Sequence, residues 1–109
     1  MKVRRTEMGT WIKIIEVENI PSMGARKVVI ANEEIALFKT RDELIFAVKN
    51  ECPHKKGQLS EGLVHEHIIT CPLHNLDINL ENGVALEEGA GCVKPYETKI
   101  EEGMVYIQF

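Results

Sequence analysis

Two short motifs place a cysteine close to a histidine, and together they could bind a metal centre. The first is Cys52-Pro53-His54 and the second is Cys71-Pro72-Leu73-His74, with 16 residues between them. Structural zinc sites commonly begin with Cys-x(2–4)-Cys and close with His-x(3–5)-His, so this alternation is unusual for zinc. A [2Fe–2S] cluster explains it better, because both cysteines can bind one iron and both histidines the other. Zinc binding and four unrelated core residues remain the alternatives.

A proline follows each cysteine, and glycines lie in the segment that joins the two motifs. Pro53 and Pro72 fix φ at about −65° and remove a backbone N–H, which stiffens each loop before metal binds. Gly57 and Gly62 are expected to permit the tight reversal that returns the chain towards the second motif. The sequence therefore predicts two stiff loops that clamp one metal centre from either side.

The elements that must position these loops are short strands. Apolar runs separated by turn residues are typical of an all-β domain, and no apolar 3.6-residue period persists for three turns. A hairpin is predicted at the C-terminal end, where alternating residues 96–101 turn through Glu102-Gly103 into residues 104–109. Another turn is expected at residues 32–34. Further strands are predicted at residues 11–15, 27–31, 35–39, 44–49, 67–70 and 77–80.

Length and composition bound the class of protein. The 109 residues suit a single domain, residues 1–109, and the net charge of −4 without a basic stripe argues against a nucleic-acid partner. No apolar run approaches the roughly 20 residues that cross a bilayer, and no secretory signal is recognisable. We therefore expect a cytoplasmic protein with no membrane partner, in which three cysteines are ligands or buried thiols and not a disulfide framework.

The segment that carries both motifs resembles the Rieske [2Fe–2S] family. Residues 52–62, CPHKKGQLSEG, followed by CPLH at residues 71–74, match the signature C-x-H-x(15–17)-C-x-x-H in ligand types, spacing and flanks. The resemblance implies an all-β, ISP-like fold of three stacked antiparallel sheets, with a small inserted cluster-binding subdomain at roughly residues 50–88. It also implies that Cys52 and Cys71 bind one iron, and that His54 and His74 bind the other and lie near solvent.

Several residues depart from the high-potential members of this family. The high-potential members that this pattern resembles have disulfide cysteines at two positions, which are Gly57 and Leu73 here. They also have hydroxyl residues at two positions that are Leu76 and Ile78 here. Because hydrogen bonds to the cluster sulfurs stabilise the reduced form, their loss lowers the potential. We therefore expect a potential in the lower part of the Rieske range, about −150 to 0 mV.

Within the family, the flanking residues resemble the small subunit of assimilatory NAD(P)H-dependent nitrite reductase. The residues that carry this likeness are 91–97, GCVKPYE, and 103–107, GMVYI. It implies an electron-transfer subunit with no catalytic residues of its own, whose partner is a large subunit with FAD, a [4Fe–4S] centre and sirohaem that reduces nitrite to ammonia. A stand-alone Rieske ferredoxin of an aromatic-ring dioxygenase system is the alternative, although Asn75-Leu76-Asp77-Ile78 replaces the Gly-Trp-aromatic run typical of those ferredoxins. A redox-sensing or structural module is a third possibility.

The remaining candidate residues receive simpler interpretations. Cys92 is expected to be a small buried apolar residue, and His65 and His67 are expected to be surface residues of a hairpin turn. The expected docking surface for a partner is the rim of the cluster, formed by Lys55, Leu59, Pro72, Leu73 and Asn75.

Overall fold

The computed structural model describes residues 10–53, 57–72 and 75–109, and these residues form ten short strands and two single-turn 3₁₀ helices. The helices are Val17–Asn19 and Leu59–Glu61. The strands are β1 (Trp11–Glu16), β2 (Gly24–Ile30), β3 (Glu33–Lys39), β4 (Ile45–Lys49), β5 (Leu63–His65), β6 (Ile68–Thr70), β7 (Asp77–Asn79), β8 (Pro95–Tyr96), β9 (Thr98–Glu101) and β10 (Met104–Gln108). No helix in these three ranges is long and apolar enough to cross a membrane.

The strands form three antiparallel sheets, so the all-β prediction is confirmed. A terminal sheet has the order β1-β10-β9, a middle sheet has the order β2-β3-β4-β8, and a small sheet has the order β5-β6-β7. Long-range pairing of β1 with β10 brings the two ends of the described chain together. The small sheet lies within residues 50–88, where the sequence predicts the inserted subdomain.

The central strands of the middle sheet, β3 and β4, are buried on both faces, to which their side chains point alternately. In β3, Ile35 and Leu37 pack with Val105 and Ile107 of the terminal sheet. The residues between them, Ala36 and Phe38, pack into a second apolar cluster that includes the small sheet. The middle sheet therefore separates two cores, and it holds the small sheet on one side and the terminal sheet on the other.

Two tight turns fix the register of the long hairpins. Glu102 and Gly103 connect β9 to β10 as predicted, and both have positive φ, at 51° and 79°. The turn between β2 and β3 is Ala31-Asn32, not residues 32–34, because Ile30 pairs with Glu33 and Glu34 is already in the ladder. Ala31 and Asn32 also have positive φ, at 50° and 69°, which is the backbone that a two-residue hairpin turn requires.

One histidine joins three connections at the end of the small sheet remote from Cys71. His67, in the turn between β5 and β6, contacts Glu81 through Nδ1 at 2.6 Å and Asp42 through Nε2 at 3.0 Å. Its ring also lies 5.2 Å from that of Phe46. His67 lies at the surface in a hairpin turn, as expected, with a side chain that is 29% exposed. The sequence did not indicate the two carboxylates that it contacts.

These contacts shift the titration of His67. Its hydrogen bonds to Glu81 and then to Asp42 raise the pKa of His67 above 6.5. Hydrogen bonds from Thr40 and from His67 lower the pKa of Asp42 below 3.8. A raised histidine pKa gives a stabilisation that is complete below the unfolded-state pKa and is lost as the pH rises through the folded-state pKa.

We predict that His67→Gln lowers the thermal unfolding midpoint more at about pH 6 than at about pH 9, because only the protonated ring attracts both carboxylates. The measurement is the difference in midpoint between the parent chain and the variant at the two pH values. Asp42→Asn, which removes one of the two carboxylates, should reduce the pH dependence of the parent. A difference that is equal at both pH values would contradict this account.

Candidate functional site

The structure brings the two predicted cysteine ligands into one buried cluster. Cys52 is 1% exposed and Cys71 is fully buried, and both belong to the apolar cluster between the middle and small sheets. His54 and His74 lie outside the described residues. Within those residues, no group of three or more His, Cys, Asp or Glu side chains is placed to hold a metal ion. The full ligand set therefore stays a prediction, of which the structure describes the sulfur half.

The two cysteines begin loops that are closed in the same way. The Cys52 N–H donates to the Gly57 carbonyl at 2.8 Å, and the Cys71 N–H donates to the Leu76 carbonyl, also at 2.8 Å. Each hydrogen bond therefore joins a cysteine to the residue five positions later. In the second loop the Asn75 N–H returns to the Cys71 carbonyl at 3.0 Å. Each predicted histidine lies inside one of these closed loops, two or three residues after its cysteine.

This arrangement fits the chemistry of an iron–sulfur centre. Thiolates are the protein ligands of such clusters, and a buried apolar setting around sulfur is one of the features that controls their potential. Leu76 and Ile78, where hydroxyl donors were noted as missing, are 6% and 0% exposed and pack in the same cluster as the cysteines. The described loops thus offer two buried sulfur ligands in apolar surroundings.

A third segment flanks the first loop. Val93 and Gly83 are joined by a 2.7 Å hydrogen bond from the Val93 N–H to the Gly83 carbonyl. Next to Val93, Gly91 passes so close to Pro53 that an added Cβ would lie 3.3 Å from the Cβ of Pro53. A cavity of about 300 Å³ opens there, lined by Lys49, Glu51, Cys52, Pro53, Cys92, Val93 and Lys94.

Cys92 is exposed, so the expectation that it is a buried apolar residue is wrong. It precedes Val93, which is 6% exposed and occupies the inward position of this extended segment. Because successive side chains point to opposite sides, burial of Val93 turns Cys92 outward. Cys92 faces the same cavity as Cys52, beside Lys94.

The expected docking rim is only partly at the surface. Pro72 and Asn75 are exposed, whereas Lys55 and Leu73 lie outside the described residues. Leu59 is fully buried, so its place in the rim is wrong. As the first residue of the second 3₁₀ helix, it packs into the apolar cluster with Cys52.

Polar side chains close the base of each loop. At the second loop, the Thr70 hydroxyl donates to Asp77 at 2.6 Å, and His65 lies 2.7 Å from the same hydroxyl. At the first loop, the Asn50 side chain contacts Ser60. Sequence reasoning missed Asn50. The sequence did offer one signal for it. Asn50 directly follows β4, whose residues are apolar on both faces, and it lies two positions before the proposed ligand Cys52.

A family model, curated relatives and solved structures all match this chain to the same family. The sequence model of the Rieske-like [2Fe–2S] domain matches residues 10–108. The ferredoxin component of a naphthalene 1,2-dioxygenase system from Pseudomonas aeruginosa is 32% identical over 98 residues, covering 89% of this chain and 93% of the relative. The small subunit of the NADH nitrite reductase of Escherichia coli K12 is 26% identical over 107 residues, covering 93% and 99%. A crystal structure described as a nitrite reductase NADPH small subunit superposes with a TM-score of 0.83 at 25% identity, covering 92% and 99%.

Gly62 joins the end of the first loop to the start of the second through a close backbone contact. Its φ of −86° is open to any residue, so the expected role in a strained reversal is not what requires glycine here. A Cβ at this position would lie 2.1 Å from the Thr70 carbonyl oxygen, one residue before Cys71. Glycine is therefore needed for the approach of two backbones.

We predict that Gly62→Ala destabilises the chain by about 1–3 kcal/mol and loosens metal binding, because the clash can be relieved only by moving Thr70 and Cys71. The measurements are the free energy of unfolding and the iron content of the purified protein. Gly89→Ala is the matched control, since a Cβ there meets no atom within 4 Å although φ is +81°. Equal iron loss in both variants would contradict the close-contact explanation.

Proposed function

This chain belongs to the Rieske-like [2Fe–2S] domain family, and we propose that within it the chain is the electron-transfer small subunit of an NAD(P)H-dependent nitrite reductase. It is an electron-transfer protein with a Rieske-type [2Fe–2S] cluster. The proposed ligands are Cys52 and Cys71 on one iron, and His54 and His74 on the other. When bound, such a cluster accepts and donates one electron at a time.

The observation that carries the ligand assignment is the pair of buried cysteines, each at the base of a loop closed five residues later. The backbone bonds at Gly57 and Leu76 hold the loops in shape, so that side chains between them can reach a common centre. Burial of the two sulfurs keeps water away from that half of the site. The protein surface that a redox partner approaches then lies on the histidine side, which includes the exposed residues Pro72 and Asn75.

Two features favour the nitrite reductase role over a ferredoxin role. The small-subunit relative from Escherichia coli covers 93% of this chain and 99% of its own length. The residues after the last ligand also lack the Gly-Trp run of dioxygenase ferredoxins, because Asn75 and Leu76 follow His74 instead, Asn75 exposed and Leu76 buried. The proposed partner is accordingly the large nitrite reductase subunit, with FAD, a [4Fe–4S] centre and sirohaem.

A dioxygenase ferredoxin is the second candidate, and one observation favours it. The naphthalene dioxygenase ferredoxin has the higher identity of the two relatives, 32% against 26%. Both roles use the same type of cluster as a one-electron carrier. They differ in the protein that accepts the electron, so the choice rests on the partner.

We predict that Cys52→Ser and His54→Ala each remove most of the iron and acid-labile sulfide from the protein, because each loses one of only four ligands. Metal and sulfide analysis of freshly purified protein, with electron paramagnetic resonance of the reduced form, measures this. Cys92→Ser is the matched control, since Cys92 is exposed and outside the proposed set, and it should keep the cluster. Zinc without iron in the parent chain would overturn the assignment.

We predict that NADH or NADPH reduces this chain through a sirohaem-containing nitrite reductase large subunit, and that added nitrite reoxidises it. The measurement is the visible spectrum of the mixture, with a dioxygenase reductase and oxygenase pair as the comparison. Reoxidation only with the dioxygenase pair would favour the ferredoxin role, and no reduction with either would favour a sensor or structural module.

A midpoint potential above about +150 mV would contradict the low-potential assignment.

A further inference from the structure

Asn50 is a buried polar side chain at the base of the first loop. It follows β4 directly, lies two residues before Cys52 and is 5% exposed. A buried amide that lacked hydrogen-bond partners would destabilise the fold, so its presence needs a compensating network. Asparagine carries both an acceptor oxygen and two N–H donors in one short side chain, which suits it to join several groups at once.

The side chain of Asn50 uses all of these groups. Its Oδ1 accepts the Ser60 N–H at 2.8 Å, and its Nδ2 donates to the Ser60 hydroxyl at 3.0 Å. Nδ2 also donates to the Glu34 carboxylate at 3.2 Å, and the Asn50 backbone N–H donates to the Glu34 carbonyl at 2.9 Å. Asn50 therefore joins the two ends of the first loop to each other and both of them to β3.

The two loops share their backbone closure at the cysteines but differ in what joins the chain segments outside it. The second loop emerges from paired strands, because Thr70 at the end of β6 lies opposite Asp77 at the start of β7. The first loop runs from β4 to a 3₁₀ helix, and β4 pairs with β3 and β8 instead. No ladder therefore closes the base of the first loop in the described chain. The Asn50–Ser60 contacts supply that closure.

We propose that Asn50 is a positioning residue that holds the first cluster loop closed and thereby slows loss of the [2Fe–2S] cluster. It does so through its contacts with Ser60 and Glu34 and not by binding the cluster. Holding the loop ends together lowers the number of open conformations in which Cys52 and His54 separate from their partners in the second loop. The proposal rests on the ligand assignment given above.

The experiment compares the rate of cluster loss from the loaded protein in the presence of an iron chelator, followed by visible absorbance. Asn50→Leu keeps similar volume but removes the side-chain hydrogen bonds, and Ser60→Ala removes one partner. We expect Asn50→Leu to accelerate cluster loss by about tenfold, as for a lost buried hydrogen bond, and Ser60→Ala to do so by a smaller factor. The electron paramagnetic resonance signal should keep its g values, because the ligands are unchanged.

A conservative pair of substitutions tests for rescue. In Asn50→Asp the carboxylate can still accept both Ser60 donors, but it faces the Glu34 carboxylate. Adding Glu34→Gln replaces that repulsion with an amide donor. We expect Asn50→Asp alone to lose the cluster faster than the parent, and the double variant to return to within about threefold of it, since the two positions are directly coupled.

The matched control is Thr98→Val, which removes a hydrogen bond of 2.8 Å from β9 to the Ile45 carbonyl, at the end of β4 remote from Asn50. It should leave the rate of cluster loss nearly unchanged. The positioning role of Asn50 is overturned, in favour of general destabilisation, by either of two results. One is that Thr98→Val accelerates cluster loss as much as Asn50→Leu, and the other is that Glu34→Gln does not rescue Asn50→Asp. If Cys52→Ser keeps the cluster, the ligand assignment is overturned. If Cys52→Ser loses the cluster but Asn50→Leu has no effect on the rate of cluster loss, only the positioning role of Asn50 is overturned.

Discussion

Burial of the central strands of the middle sheet, β3 and β4, on both faces is the constraint on which the rest of this structure depends. Strand β3 sends Ile35 and Leu37 to one side and Ala36 and Phe38 to the other, and all four are fully buried. Each face requires a cover that excludes water, because exposed apolar area of this extent would be costly. The terminal sheet covers one face. The small sheet covers the other, and its position next to the middle sheet is what brings Cys71 to the same apolar cluster as Cys52.

This packing sets how deeply each part of the site is buried. The cysteines lie deepest, in the cluster shared by the two sheets, and each begins a loop that leaves the core. The backbone bonds to Gly57 and Leu76 return each loop to its base within five residues. Short closed loops can hold ligands in place before a metal arrives, because few backbone conformations remain to be restricted. A redox centre held in this way can change its charge with little movement of the protein around it.

The small sheet is fastened at both of its ends by polar contacts as well as by its apolar face. At one end, His67 contacts carboxylates from two other connections. At the other end, Asn50 joins Ser60 to Glu34 of the middle sheet. Three-residue strands contribute few ladder hydrogen bonds of their own. The orientation of the small sheet relative to the middle sheet therefore depends on these contacts, in addition to the core.

The amino-acid sequence by itself determined the features that depend on near neighbours. The alternation of Cys and His at fixed spacing indicated the cluster type, and apolar runs of strand length predicted most strands and the C-terminal hairpin. Local patterns are sufficient there, because ligand spacing and the two-residue period of a strand are properties of adjacent positions. The same reasoning left the choice between two redox partners open, since both roles need the same four ligands.

Only the tertiary structure decided the features that depend on residues far apart in the chain. The burial of Leu59, the exposure of Cys92, the contact of His67 with Asp42 and the network of Asn50 all arise where two or three elements meet. Gly62 shows the same over a shorter span, because its own backbone conformation would admit any residue and only the carbonyl of Thr70 excludes a side chain. Composition and periodicity carry no information about such an approach, since it is fixed by the pairing of β5 with β6, which places Leu63 opposite Thr70.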